Sequence, residues 1–171
     1  VSAKQLAYIS LFIALTILLT RYYNFHIKFI TFSGFPIILA GIYLGPASGA
    51  LVGVVSDVVG YLLNSRGKPF FPGFTLTAAL SGFLPAFCLK IWKKDKPIPD
   101  FLPLLLSILG GQFITDVILV PYFMSILYGK PLLWIKMIES FLAQLVHAPI
   151  YTFLIRKILK AFYIGKNVAL Q

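Results

Sequence analysis

From Phe29 to Ser56 the chain runs 28 residues without a charged side chain, and this stretch narrows its possible folds more than any other. A bilayer's hydrocarbon core is crossed by roughly 20 apolar residues, each rising ~1.5 Å along a helix. Twenty-eight residues are too many for one crossing and too few for two, so the second crossing borrows residues beyond Asp57. The turn falls at Gly45-Pro46, because proline stops a helix and glycine supplies the tight bend. Four further runs behave alike: Gln5 to Thr20, Pro69 to Leu89, Phe101 to Gly129 with Asp116 as its one charge, and Ser140 to Ile155.

These runs predict an all-α integral membrane protein, one domain over 1–171, with six transmembrane helices in one bundle at roughly 4–23, 35–45, 47–64, 74–93, 101–128 and 132–160. The second is short and is expected to tilt or to stop before crossing fully. Only 12% of residues are charged, against about 25% in a soluble domain. The first run has only a thin basic flank and no small-x-small site, so it is not expected to be a cleaved signal peptide.

A formal charge of +10 in a soluble protein would point to nucleic acid. Here the cations sit between apolar runs and instead report orientation. Lys4, Lys90, Lys93, Lys94, Lys96, Arg156, Lys157, Lys160 and Lys166 fall on one side, and Arg21, Lys28, Arg66, Lys68, Lys130 and Lys136 on the other. Nine against six places both termini in the cytoplasm. Six cations retained outside are explained either by headgroup anchoring or by an anionic ligand.

Several chemistries are excluded. Cys88 is the single cysteine, so there is no internal disulfide, and His26 and His147 lie on different elements without a ligand cluster. No metal or cofactor is expected. The Gly-Lys pairs at 67, 129 and 165 are followed by Pro, Pro and Asn, so there is no phosphate-binding P-loop. No nucleophile elbow or zinc-protease motif occurs, and the halves show no clear inverted repeat of the kind a self-sufficient transporter carries.

Ionisable side chains within spanning helices are costly and face the bundle interior. Asp57 and Glu139 come from different helices to about the same depth, roughly 10–12 Å from the outer end; Asp116 is deeper. Each acid either forms an ion pair with Arg21, Arg66 or Lys136, or accepts hydrogen bonds from a ligand's amino and ring N–H groups. Gln112, Gln144 and His147 are further polar candidates on helices 5 and 6, for interhelical bonding or for ligand contact.

The segment from Asn64 to Thr75 is the densest, with Arg66 and Lys68, Phe70, Phe71 and Phe74, and Pro69, Pro72 and Gly73 holding an irregular backbone. Flat heteroaromatic ligands stack on such rings and arginine grips carboxylates bidentately. An interfacial aromatic belt is the plainer use of such rings, and Tyr22, Tyr23, Phe25 and Trp134 fit that description better. Small residues make a last pattern. Ala3, Ala7, Ser10 and Ala14 share one face of the first helix, and Gly49, Gly53, Ser56 and Gly60 one face of the third. Such faces admit close helix packing, within the protein or, for the first helix, against a partner subunit.

Leu-Thr-Arg at 19–21, Gly45-Pro46 leading to Gly49, Gly53, Ser56-Asp57 and Gly60-Tyr61-Leu62, and Phe-Phe-Pro-Gly-Phe-Thr-Leu at 70–76 resemble the folate-specific S components of energy-coupling factor (ECF) transporters. Ala78-Ala79-Leu80-Ser81-Gly82-Phe83-Leu84-Pro85 extends the likeness, which covers helices 1 to 4 closely and helices 5 and 6 by length and hydropathy. The resemblance implies a six-helix vitamin-binding subunit of a bacterial plasma membrane, with its site near the outer face. It also implies a membrane coupling subunit and two ATPase subunits as partners, so that ATP hydrolysis is theirs and this chain is not an enzyme. The family's first helix docks on the coupling subunit through Ala-x-x-x-Ala; here that place reads Ser10 to Ala14, with Ala3 and Ala7 as a second pair.

Folate suits the polar inventory. Its glutamate tail is expected near Arg21, Arg66, Lys68 and Lys130, and its pterin near Phe71, Phe74, Tyr122 and either Glu139 or Asp57; Tyr22, Asn64, Gln144 and His147 complete the candidate set. The alternatives are an S component for pantothenate, a thiazole or a pyrimidine, or a small membrane enzyme.

Overall fold

The computed structural model describes residues 2–22, 32, 34–65, 67, 69–92, 98–129 and 133–168. Among these residues every regular element is helical. We number six helices: α1 Ala3–Tyr22, α2 Phe35–Leu44, α3 Pro46–Leu63, α4 Pro72–Trp92, α5 Phe101–Tyr128 and α6 Leu133–Val168. All except α2 are long and apolar enough to cross a bilayer, and the chain is a multi-pass membrane protein.

The boundaries follow from local chemistry. Gly45, at φ 102°, turns the chain between α2 and α3, and Pro46 opens α3, where its missing N–H costs nothing. Left-handed Gly129 closes α5. Helix α4 begins at Pro72, two residues before the expected 74, because Pro72 serves as a helix-opening residue rather than as part of the loop; Phe74 N–H donates to the Phe71 carbonyl at 3.0 Å. Helix α6 runs on to Val168 instead of ending near 160, since no proline follows Lys160 and Ala161, Phe162 and Tyr163 continue an apolar turn. Two stretches widen to π-helical winding, Leu18–Tyr22 at the end of α1 and Phe113–Leu119 in the middle of α5. Nothing in the residue spacing foretold either one.

Glycine contacts fix the centre of the bundle. A Cβ on Gly41 of α2 would lie 2.1 Å from the Gly82 carbonyl oxygen of α4, and one on Gly49 of α3 would lie 2.5 Å from Gly41 Cα. On Gly53 it would meet the Ala78 carbonyl oxygen at 2.2 Å. The small face of α3 is thus spent inside the protein, where α2, α3 and α4 meet backbone to backbone.

Chain direction defines two ends, one carrying Arg21, the other Arg156. Of the fully buried core residues, Ala40, Val52, Leu104, Ile108 and Ile155 come from the halves of their helices nearer the Arg156 end, and Ile38 and Ala148 lie near the midpoints of theirs. Helix α2 stays with them. Its first residue, Phe35, packs edge-on against Tyr151 at 5.4 Å between centroids, and Tyr151 lies roughly 27 Å along α6 from Leu133. The short second helix therefore does not reach the Arg21 end, which is built from α1, α3, α4, α5 and α6.

Candidate functional site

At the Arg21 end the π-wound last turn of α1 presents Arg21 to α3. Its guanidinium Nη2 donates to Asp57 Oδ1 at 3.3 Å and to the Asp57 carbonyl at 3.4 Å, while Nη1 donates to the Asn64 carbonyl at 3.3 Å. Asn64 Nδ2 returns a bond to the Arg21 carbonyl at 3.5 Å. Gly60 makes room for this crossing, since a Cβ there would sit 3.1 Å from Arg21 Nε. Asp57 Oδ2 accepts from Thr75 Oγ1 of α4 at 2.7 Å. Three helices are thus tied at one rim by a partly buried charge pair, its side chains about one-fifth exposed (17% and 22%). This is the ion-pair alternative for Asp57, with both carboxylate oxygens engaged.

Beside the rim stands an aromatic group. Phe71 packs against Phe74 at 5.6 Å and Phe123 at 5.5 Å, and Phe123 against Tyr122 at 5.6 Å. Gly73 permits the convergence: a Cβ would lie 2.3 Å from Phe71 Cε1 and 2.9 Å from two Phe123 ring atoms. Tyr61 and Phe70 form a neighbouring pair at 5.2 Å. The contacts are edge-on and tilted, the geometries that aromatic pairs favour.

Deeper along α5 and α6 lie Gln112, Gln144 and His147, all buried. His147 stacks on Tyr151 at 5.8 Å, with the rings 10° apart. The Nε2 atoms of Gln112 and Gln144 are buried and make no hydrogen bond among the described residues. Each such orphaned amide donor costs roughly 1–3 kcal/mol unless something accepts from it.

The structure brings together Arg21, Asp57 and Asn64 at the rim and Phe71, Phe74 and Tyr122 in the aromatic group, and it buries Gln144 and His147. Tyr22 is exposed at 58%. Glu139 stands apart: it is exposed on α6 and bonds Lys136 Nζ at 2.7 Å, one turn away. Depth along the helix was readable for Glu139, but the face it points from was not. Arg66, Lys68 and Lys130 lie outside the described residues. Two contributors were not singled out from the sequence. Thr75 was legible only as the end of the dense 64–75 segment and the start of the fourth helix, and Phe123 lies in an apolar run where phenylalanine carries no signal of its own. Among the described residues no cluster of histidine, cysteine or acids is placed to hold a metal.

Ala3, Ala7, Ser10 and Ala14 all face outward from α1, whose buried side chains are Ile9, Phe12, Thr16 and Ile17. The Ser10 hydroxyl donates to the Leu6 carbonyl at 3.0 Å, so the stripe is effectively apolar. Packing inside the bundle does not account for it.

A family model described as "ECF transporter, substrate-specific component" matches residues 4–164. The chain is 36% identical over 73 residues to "Folate transporter FolT" of Clostridium novyi (strain NT), a match that spans 42% of each chain. In three dimensions it is similar to a structure titled "Crystal structure of FolT bound with folic acid", with a TM-score of 0.76, 25% identity, and 95% of this chain and 96% of that one covered.

Proposed function

Because the chain belongs to the family of ECF transporter substrate-specific components, we propose that it is the subunit that captures folate at the outer face of a bacterial plasma membrane and releases it inward when an ATP-driven module reorients it. The observation carrying this reading is the near-full-length likeness to a folic-acid-bound relative, and a ring cluster at the Arg21 end with two orphaned amides deeper in the bundle supports it. The Arg21 end faces outward, and both termini are cytoplasmic. The module supplies one membrane coupling subunit and two ATPases, and ATP hydrolysis is theirs.

In this reading the pterin stacks among Phe71, Phe74, Phe123 and Tyr122 and reaches toward Gln144 and His147. The glutamate tail stays at the rim, where Arg66, Lys68 and Lys130 are the sequence's candidate cations. Arg21 and Asp57 shape the mouth: their mutual pairing and the Thr75 bond hold α1, α3 and α4 in register around the ligand. Tyr22 and Asn64 border the same mouth, and Glu139 with Lys136 contributes charge outside it.

Purified protein should bind folate without ATP, and isothermal calorimetry with folate, 5-formyltetrahydrofolate and methotrexate tests this. Heat with none of the three rejects the substrate. Arg66→Ala should weaken folate more than pteroate, which lacks the glutamate; equal losses remove the tail contact.

A further inference from the structure

At the Arg156 end, opposite the candidate folate site, a cleft of about 140 Å³ opens between the start of α5 and the exposed side of α6. Ile98, Phe101 and Phe153 supply its walls, and Arg156, Lys157 and Lys160 its charge. Asp100, the acid adjoining Phe101 in sequence, is not among the lining residues. Lys157 Nζ lies 5.4 Å from the centre of the Phe153 ring, which holds its ammonium against the apolar wall. Arg156 Nε is buried and has no hydrogen-bond partner among the described residues, although the rest of its side chain is partly open. A buried guanidinium nitrogen without an acceptor is an expensive arrangement, and Arg156 also lines the cleft with the rest of its side chain.

Depth identifies the cleft's surroundings. Arg156 lies 23 residues beyond Leu133, roughly 35 Å along α6, where a hydrocarbon core about 30 Å thick has given way to headgroups. An occupant at that level needs an anionic head for three cations and an apolar body for Ile98, Phe101 and Phe153. We propose that this cleft is a binding site for an anionic phospholipid, its phosphate held by Arg156, Lys157 and Lys160 and an acyl chain laid along Phe101 and Phe153. The site is independent of the folate reading. It places a lipid-held anchor on the last helix, at the end of the bundle that any reorientation of the subunit would have to move through the headgroups.

The test is native mass spectrometry of delipidated protein mixed with vesicles of phosphatidylcholine, with or without phosphatidylglycerol. The wild-type protein should retain phosphatidylglycerol adducts and few phosphatidylcholine ones. A surface cation is worth about fivefold, so removing two should lower adduct occupancy roughly twenty-five-fold. Arg156→Gln with Lys160→Gln tests the buried donor. Lys157→Gln with Lys160→Gln repeats the experiment at two exposed positions that cannot disturb the core. Lys4→Gln with Lys90→Gln removes the same charge at the same end, outside the cleft, and should leave adducts unchanged. Equal loss in that control, or no preference for phosphatidylglycerol, overturns the site. Displacement by inorganic phosphate as effective as by lipid overturns it in favour of a free anion. Adducts unchanged in the cleft variants while capture of the coupling subunit is lost overturns it in favour of a protein interface.

Discussion

The Thr75 hydroxyl of α4 donates to Asp57 Oδ2 of α3 at 2.7 Å, which leaves Oδ1 of the same carboxylate to Arg21 of α1 at 3.3 Å. One carboxylate thereby joins three helices at the end where α2 is missing. Its removal strands two donors together. Asp57→Ala should therefore destabilise the protein by about 1.5–3 kcal/mol, the range for hydrogen bonds to a charged group. Asp57→Asn, which keeps an acceptor for Thr75, should cost less, and Thr75→Val only about 1 kcal/mol. Unfolding in detergent, followed by helical circular dichroism, checks the order Ala, Asn, Val; a neutral Asp57→Ala would mean that the network is decorative.

The backbone contacts among the helices predict a sharp contrast between glycines. A Cβ on Gly82 would lie 2.4 Å from the Gly49 carbonyl oxygen, whereas one on Gly110 meets nothing within 4 Å. Gly82→Ala must push two helices apart and should cost about 1–3 kcal/mol or more. Gly110→Ala, within the same bundle, should be neutral or gain up to about 1 kcal/mol from helix propensity. Thermal unfolding of the two variants side by side decides the matter.

The same contacts explain what could and could not be read from the sequence. Uncharged run lengths and the Gly45-Pro46 and Gly129 stops located the helices to within a few residues except at the end of α6, because the bilayer demands a fixed length and those residues end helices by their own backbone chemistry. The site required register, which one strand of sequence does not carry. Gly49 meets Gly82, Gly53 meets Ala78, and one turn further Asp57 meets Thr75; each step of about four along α3 is matched by a step back along α4. The small residues on both helices were visible, yet their pairing was not, so Thr75 was not matched to Asp57. Glu139 failed for the complementary reason. Depth is counted from a helix end, but the direction a side chain faces depends on which neighbours the helix finds.

The ring cluster should act on ligand more than on folding. Phe71 touches Phe74 and Phe123 at 5.6 and 5.5 Å, and each aromatic contact is worth about 0.5–1.5 kcal/mol beyond its area. Phe71→Leu preserves most of the volume while removing the ring face, so folate affinity should fall about tenfold with unfolding shifted little. Calorimetry and unfolding on one preparation separate the two. A loss of stability without a loss of affinity would make the cluster a packing feature.

The outward stripe on α1 predicts a variant that binds but does not assemble. Ala14 is exposed, and neither its side chain nor those of Ala3, Ala7 and Ser10 are buried within the bundle. A tryptophan at 14 therefore has room in the isolated subunit and blocks close approach by another helix. Ala14→Trp should retain folate binding while losing co-purification with coupling and ATPase subunits. Co-purification at wild-type yield would move the docking surface elsewhere.

Gln144 offers the most discriminating case, because two roles for it predict opposite signs. Its side-chain amide nitrogen is buried without a partner, and it lies roughly 16 Å along α6 from Leu133, between the rim and the start of α2. If that donor is reserved for a ligand acceptor, the empty subunit carries a desolvation cost of roughly 1–3 kcal/mol that bound folate relieves. Replacing the amide with leucine removes the cost along with the contact. Gln144→Leu should then raise the unfolding temperature of the ligand-free protein, lower folate affinity by about tenfold or more, and abolish most of the stabilisation that folate confers. A purely structural glutamine would instead lower ligand-free stability on substitution and leave the folate-induced shift in place. Measuring unfolding with and without folate in the two proteins gives both signs in one experiment, and a fall in ligand-free stability would take Gln144 out of the site.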